Sequence, residues 1–158
     1  MKLSVAENWV EEPLKQFVDE ARVQLAVLLN PSGQVLGQFG FASSVDVMTA
    51  CALAAATTAS SAELGRQVDG RPFSGLHYVG NARQIFLGQV PTKTGSLILL
   101  TVFDSESSLG LVQLFFHELC VTVAAITPKE APSGAALPED FEKELNRNLA
   151  TMFGRHDG

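Results

Sequence analysis

Residues 97–116 read LILLTVFDSESSLGLVQLFF, two apolar runs separated by a short polar turn. The first run predicts a strand over residues 96–103, buried on both faces because apolar side chains occupy both sides of the chain. Ser107 and Ser108 favour a helix start, and the second run predicts a helix over residues 109–126. A strand buried on both faces is typical of a sheet that lies between two helical layers.

Four further strands are predicted upstream of this stretch. Pro31, Ser32 and Gly33 favour a tight turn between two short runs, so the first pair forms a hairpin. The predicted strands are 23–30, 34–41, 75–79 and 83–90, with turns at 80–82 and 91–95.

Two more helices complete the predicted domain. The first begins near residue 11 and ends near residue 20, because its apolar residues recur at helical spacing. They are Val10, Leu14, Phe17, Val18 and Ala21. The second opens with Ser43 and Asp46, spaced as in a helix-start cap, and ends at Asp69 and Gly70. The resulting order, α-β-β-α-β-β-β-α, is that of an α+β domain.

Composition excludes several classes of protein. The chain has 158 residues, of which 46% are hydrophobic and 18% charged, and this predicts a folded domain rather than disorder. The net charge of −6 disfavours nucleic acid as the main partner. The first residues do not resemble a signal peptide. No uninterrupted apolar run reaches the roughly 20 residues of a membrane span, so we expect a cytoplasmic protein.

Catalytic machinery is not recognisable in the sequence. Phosphate-binding glycine loops and nucleophile elbows are missing, and His77, His117 and His156 are far apart. The histidines are interpreted as hydrogen-bonded structural residues, and Cys51 and Cys120 as small core residues. Residues 104–108, DSESS, are interpreted as a turn and helix cap rather than a calcium loop. We therefore predict no active site, no cofactor and no metal ion.

The middle of the second helix, residues 50–62, reads ACALAAATTASSA and is built from small side chains. Small residues with helical spacing form a stripe that continues into a polar end: Ala52, Ala55, Ala56, Ala59, Ala62, Glu63 and Arg66. Either the helix is wedged inside its own domain, or the stripe is an interface with a second subunit or a partner protein. We favour the interface. At least some of the larger apolar residues should face the sheet: Met48, Cys51, Leu53 and Leu64.

The C-terminal region is predicted to be separate from this domain. Residues 128–137, PKEAPSGAAL, have the composition of a linker. Residues 138–158 predict an amphipathic helix and tail. The apolar face carries Phe141, Leu145, Leu149, Met152 and Phe153. An isolated helix of about 16 residues is marginal in water, so it packs either on its own domain or in a partner's groove.

Two segments carry a resemblance to a known family, namely ASSAELGRQVDGRPFSGLHYVGN at 59–81 and LILLTVFDSESSLGLVQLFF at 97–116. Over residues 8–127 the chain resembles the Roadblock/dynein light chain family, and the second segment is similar to its MglB-type bacterial branch. That branch also carries a linker and an amphipathic tail. The resemblance implies a domain over residues 1–127 with a five-stranded antiparallel sheet. One long helix would lie on one face of this sheet and two helices on the other.

The resemblance also implies a function. Members are homodimers that pair the third strand and the long helix, and MglB-type members bind a Ras-like small GTPase of the MglA type in its GTP state. They stimulate hydrolysis by ordering the switch loops of the GTPase, without an arginine finger. Carried over by position, the contact face falls on Ala59 and Glu63, surrounded by the rest of the stripe. The tail helix would contact the GTPase away from the nucleotide. A role in cell polarity and motility follows.

Two other functions stay open at this stage. The same dimer could serve as a non-catalytic scaffold for small GTPases or motor subunits, in which case it would bind both nucleotide states equally. A sensor that uses the sheet to bind a small molecule is the third hypothesis, and a ligand-dependent thermal shift without any protein partner would support it.

Overall fold

A computed structural model of the chain describes residues 8–127. A short 3-10 turn precedes the first helix, and the order of helices and strands after it is the predicted one. The elements are α1 (Glu11–Ala21), β1 (Leu25–Leu29), β2 (Val35–Gly40), α2 (Val47–Asp69), β3 (Gly75–Val79), β4 (Gln84–Thr92), β5 (Gly95–Phe103) and α3 (Leu109–Ile126).

All five strands form one antiparallel sheet in the order β2-β1-β5-β4-β3. The predicted buried strand, β5, lies at the centre, where it pairs with β1 and β4. Its residues 98–103 are all buried. With α2 on one face and α1 and α3 on the other, the predicted α+β fold is confirmed.

The face covered by α1 and α3 has a core of large side chains from both helices and strands. Leu14 and Phe17 of α1 and Leu119 of α3 pack against Leu99 and Phe103 of β5. All of them are at most 4% exposed. The inner side of this layer is therefore buried within one chain, whereas the outer side of α3 exposes Leu114, Val121 and Ile126.

The face covered by α2 is built differently. The strands contribute branched side chains, including Val27 and Leu100, whereas α2 contributes the small residues Cys51, Ala54 and Ala55. Small side chains let the helix backbone approach the sheet closely. The strand β5 contributes alternate residues to the two cores, because successive side chains of a strand point to opposite faces.

Two helix starts show which predicted caps the fold uses. The side chain of Ser108 accepts a hydrogen bond from the Leu111 amide (3.1 Å), so the predicted start of α3 is confirmed. The start of α2 differs from the predicted cap at Ser43. Asp46 is the N-cap and accepts from the Thr49 amide, while the Ser43 hydroxyl accepts a hydrogen bond from Arg83.

The turn between β4 and β5 is shorter than predicted. The strands continue to Thr92 and begin again at Gly95, so Lys93 and Thr94 form the turn instead of residues 91–95. Pro91 pairs with Ser96, and it lies beyond the last residue of β4 that pairs with β3. Its missing amide hydrogen therefore costs no bond on that side.

Two helices have a length and composition that would suffice to cross a membrane, Val47–Asp69 with mean hydropathy 1.2 and Leu109–Ile126 with 1.8. Neither helix is an uninterrupted apolar run, because both include polar residues, for example Glu63 in α2 and Glu118 in α3. Both pack on one sheet, which accounts for their apolar inner faces. Only 11% and 17% of the two apolar windows are buried in the chain, so exposed apolar surface remains on both.

The predicted domain reaches residue 1, and the predicted linker 128–137 and tail helix 138–158 follow it. Residues 1–7 and 128–158 lie outside the described part of the chain, as do the tail residues assigned to partner binding. Those residues are Phe141, Leu145, Leu149 and Met152. The linker, the tail helix and their roles therefore stay predictions.

Candidate protein-binding surface

The predicted stripe of small residues lies mainly on one exposed flank of α2. Ala52, Ala56, Ala59, Glu63 and Arg66 are all exposed. Ala62 is half-buried, and Ala55 is only 9% exposed because it packs into the core against the sheet. Ala55 therefore contributes to helix–sheet packing, and the remaining residues form a flank on which another backbone can approach.

Most of the large apolar residues of α2 point outward. Of the four candidates for the sheet-facing side, only Cys51 is buried. Met48 is 81% exposed, Leu53 62% and Leu64 56%, and Val68 near the end of the helix is 71% exposed. Large apolar residues that stay exposed on one helix are candidates for an interaction surface.

The polar end of the stripe is held together by hydrogen bonds. The Arg66 Nη1 atom lies 2.8 Å from Glu63 Oε1, and the Gln67 amide donates to Glu63 Oε2 at 3.0 Å. The hydrogen bond from Gln67, followed by the interaction with Arg66, lowers the pKa of Glu63. Glu63 is thus a fixed negative charge on the exposed flank at neutral pH.

The edge strand β3 is a second candidate binding surface. Among residues 8–127 it pairs only with β4, and the sequence GLHYV carries neither a lysine nor a proline that would discourage pairing. Tyr78 and Val79 are 50% and 70% exposed. Sequence reasoning missed these two apolar residues, although their position at the end of the third predicted strand was available as a signal.

The histidines differ in their surroundings. His77 on β3 contacts Gln84 at 2.7 Å and stacks on Phe103 with 6.0 Å between ring centroids, as a structural histidine should. The side chain of His117 is exposed on α3 and makes no hydrogen bond with the described residues, so the predicted hydrogen bond is not formed. His156 lies outside the described residues.

Both cysteines are free thiols with little chemical reactivity. Burial raises the pKa of Cys51 and of Cys120 to about 11 in each case. A thiol with such a pKa is protonated at neutral pH and is a poor nucleophile. The interpretation as a core residue is confirmed for Cys51, whereas Cys120 is half-buried and packs against the core of the α1/α3 face.

The turn at residues 104–108 uses its oxygen atoms within the fold. Asp104 accepts hydrogen bonds from the Glu106 amide (2.9 Å) and from the Gln24 side chain (3.0 Å). Ser107 donates to the Ala21 carbonyl, and Ser108 caps α3. The turn-and-cap interpretation is thus confirmed. Within residues 8–127, no group of three or more histidine, cysteine or acidic side chains is placed to hold a metal ion.

The fold is that of Roadblock domains, because solved structures of this class superimpose on the chain. A Roadblock/LC7 domain from Streptomyces avermitilis has a TM-score of 0.61 at 17% identity, covering 72% of this chain and 92% of that one. At the level of sequence, no protein-family model and no curated protein matches the chain.

Within this class, structures of MglB are also similar. Myxococcus xanthus MglB has a TM-score of 0.67 at 19% identity, covering 75% of this chain and 94% of that one. The gliding protein MglB from Thermus thermophilus has a TM-score of 0.68 at 20% identity, covering 78% and 92%. The chain thus has a Roadblock fold of the MglB type, which confirms the predicted resemblance at the level of the fold.

Proposed function

We propose that this chain forms a homodimer through β3 and α2 and regulates a Ras-like small GTPase of the MglA type in the cytoplasm. The similarity of the 59–81 and 97–116 segments to the MglB-type branch and the Roadblock fold support a GTPase-related role. The observation that supports it most directly is the outward direction of the apolar residues Met48, Leu53 and Leu64 on α2.

Dimerisation would give a partner both to the edge strand β3 and to the exposed apolar residues of α2. Pairing β3 with β3 of a second copy would satisfy the unpaired backbone groups of this edge and join two sheets into one. It would also bring two copies of α2 together, so that part of the exposed apolar surface is buried. The small residues Ala52, Ala56 and Ala59 permit a close approach of another backbone at that surface.

The proposed activity is acceleration of GTP hydrolysis without an active site of its own. Phosphoryl transfer depends on positioning the attacking water and on stabilising charge around the phosphate. A binding protein shifts a switch-loop equilibrium only by its difference in affinity for the two conformations. The dimer would therefore bind the ordered GTP state more tightly than the GDP state.

The state of Arg66 agrees with a mechanism that lacks an arginine finger. Its guanidinium group is engaged by Glu63 on the surface of α2. To act on a phosphate it would have to give up this pairing, so we assign it to the contact surface. The catalytic groups would be those of the GTPase itself.

The test is to mix the full chain with an MglA-type GTPase and measure the rate of GTP hydrolysis and binding in both nucleotide states. Glu63→Lys reverses the fixed charge on the proposed contact face, and we expect it to weaken binding and acceleration by about tenfold. Glu118→Lys is the matched control, since Glu118 is exposed on α3 at the opposite face of the sheet. Sedimentation should give the same dimer mass for both variants.

Three outcomes separate the alternatives. A wild-type chain that neither accelerates hydrolysis nor binds the GTP state preferentially is not a regulator of this GTPase. Equal binding to both nucleotide states without acceleration would favour the scaffold function. Loss of circular dichroism in Glu63→Lys would show that this residue is structural and that the assignment of the contact face is wrong.

A further inference from the structure

The strand β2 forms the edge of the sheet opposite β3, about 19 Å away across four strand spacings. The Phe41 amide donates to the Gln24 carbonyl at 2.7 Å. Because hydrogen-bonding groups alternate in direction along an antiparallel strand, the amides and carbonyls of Gln38 and Gly40 point away from β1. Among residues 8–127, no hydrogen bond satisfies them from the outer side.

Within residues 8–127, this edge carries neither the charged residues nor the prolines that discourage pairing. Natural edge strands discourage pairing with charged residues, especially lysine, with proline, or with a helix or loop that covers them. The sequence of β2, VLGQFG, contains no charged residue and no proline. It has two irregularities, a shift of register at Leu28 and Leu29 of β1 and a positive φ of 94° at Gly40, and residues 37–40 all pair with β1.

A cavity of about 180 Å³ opens beside this edge, on the face of the sheet that α2 covers. Leu25, Ala42 and Val45 supply apolar walls, and Gln38 and Gly40 form the side nearest the edge. Small-molecule sites usually enclose roughly 300–1,000 Å³. The cavity is therefore suited to one aliphatic side chain rather than to a whole small molecule.

Gln38 is an unusual side chain in this cavity. It is only 7% exposed, yet its amide makes no hydrogen bond with any of residues 8–127. Buried polar groups are normally paired. Its atoms are not among the fully sealed, unpartnered ones, which belong to Trp9, Gln24 and Thr101. The side-chain amide of Gln38 therefore remains accessible through the cavity and is free to bond to a ligand.

We propose that β2 and this cavity form a strand-addition site for an extended segment of a partner protein. The backbone of the segment pairs with the outward backbone groups of Gln38 and Gly40. One aliphatic side chain of the segment enters the cavity, and a polar group of the segment bonds to the side-chain amide of Gln38. Main-chain pairing supplies affinity in this mode of recognition, and the pocket supplies specificity. The site lies at the edge opposite β3, so it does not depend on the proposed GTPase function.

A second copy of the chain fits this edge poorly. In a symmetric antiparallel pairing centred on Gln38, Gln38 of the second copy lies opposite Gln38, and Leu36 of the second copy lies opposite Gly40. Gln38 carries no aliphatic side chain, and Leu36 packs on the α1/α3 side of the sheet, whereas the cavity lies on the α2 side, so the cavity would stay empty. A different protein segment, with an apolar residue at this position, fills it.

The experiment selects a phage-displayed library of random heptapeptides on the full chain and measures the binding of one enriched peptide. We expect a single aliphatic residue to be enriched at one position. The bound peptide should slow hydrogen exchange at the backbone amides of Gln38 and Gly40, because these would now donate hydrogen bonds to the peptide. Gln38→Pro removes an outward amide at an edge position that tolerates proline, and it should weaken binding by about tenfold.

Two further variants keep the test valid if Gln38→Pro fails to fold. Val45→Phe fills the cavity from a half-buried position, and Gln38→Leu removes the amide while keeping the strand. Both should weaken binding, whereas Gln16→Leu on exposed α1 should not. The proposal is overturned if no enriched peptide responds to these variants, or if peptides bind without protecting the two amides. Self-association that Gln38→Pro abolishes would overturn it in favour of a second copy.

Discussion

The two faces of the sheet are covered in opposite ways. On one face, α1 and α3 place large side chains such as Leu14, Phe17 and Leu119 against the strands. On the other, α2 turns Cys51, Ala54 and Ala55 inward and leaves Met48, Leu53 and Leu64 exposed. Both faces are closed on their inner side, the first by large helix side chains and the second by small ones, and α3 also exposes apolar residues on its outer side, namely Leu114, Val121 and Ile126.

This difference bears on function because burial of a leucine side chain is worth about 1.5–3 kcal/mol relative to exposure. A helix that forgoes this stabilisation at Leu53 and Leu64 has apolar surface available for association. Stability should therefore depend mainly on the α1/α3 face, and association on the outer side of α2. Each of the following predictions tests a part of this division.

The largest effect is expected for the same substitution made on the two faces. Leu14→Ala empties a fully buried position and should lower the free energy of unfolding by about 2–5 kcal/mol. Leu53→Ala, at a 62% exposed position, should change the stability of the single chain by less than about 0.5 kcal/mol. Urea unfolding at low protein concentration measures both.

The association of the two variants completes this comparison. Leu53→Ala should raise the dissociation constant of the proposed dimer, which sedimentation at a series of concentrations detects. If Leu53→Ala instead destabilises the isolated chain as strongly as Leu14→Ala, then α2 is part of a closed core, and the division into two kinds of face is wrong.

A second pair of substitutions compares glycines in the helices of the two faces. A Cβ atom at Gly65 of α2 would lie 2.5 Å from the Phe73 backbone nitrogen and 2.6 Å from the Arg71 carbonyl oxygen. Gly65→Ala should therefore cost about 1–3 kcal/mol. Gly110→Ala at the start of α3 meets nothing within 4 Å and should stabilise the chain by about 0.5–1 kcal/mol. Thermal unfolding of both variants is the measurement, and equal shifts would contradict the close approach at Gly65.

Much of the fold could be predicted because local signals and burial agree. The strand β5 and the helix α3 are apolar on nearly all sides, so their central positions and their boundaries follow from composition and the Ser108 cap. The end of α2 is equally clear, since Gly70 adopts the left-handed conformation that ends helices. The faces of the sheet then follow from the alternation of β5.

Which side of α2 faces the sheet could not be predicted from its sequence. Small and large apolar residues are distributed around the whole helix, so no single face is distinguished by hydrophobicity. Tertiary packing selects the small residues at 51, 54 and 55 for the sheet, because they allow the closest approach. The cap at Asp46 and the cavity beside Gln38 depend on loop geometry between β2 and α2, where Ser44 has a positive φ of 65°. Local patterns do not specify such a conformation.

The smallest effect, and the last comparison, concerns how the helices on the two faces begin. The hydrogen bonds from the Thr49 side chain and amide lower the pKa of Asp46 below its ordinary value of 3.8. A carboxylate with a lowered pKa stabilises the fold above the pKa of the unfolded chain. It loses that contribution as the pH falls through its native value. Asp46→Asn keeps a capping side chain, so wild type should be the more stable near neutral pH. The two should converge as the pH falls below 3.8.

At α3 the cap is neutral: Ser108→Ala should cost about 1 kcal/mol at every pH. Urea midpoints across the acidic range measure both pairs. A constant gap between wild type and Asp46→Asn would show that the charge of Asp46 does not contribute to the start of α2.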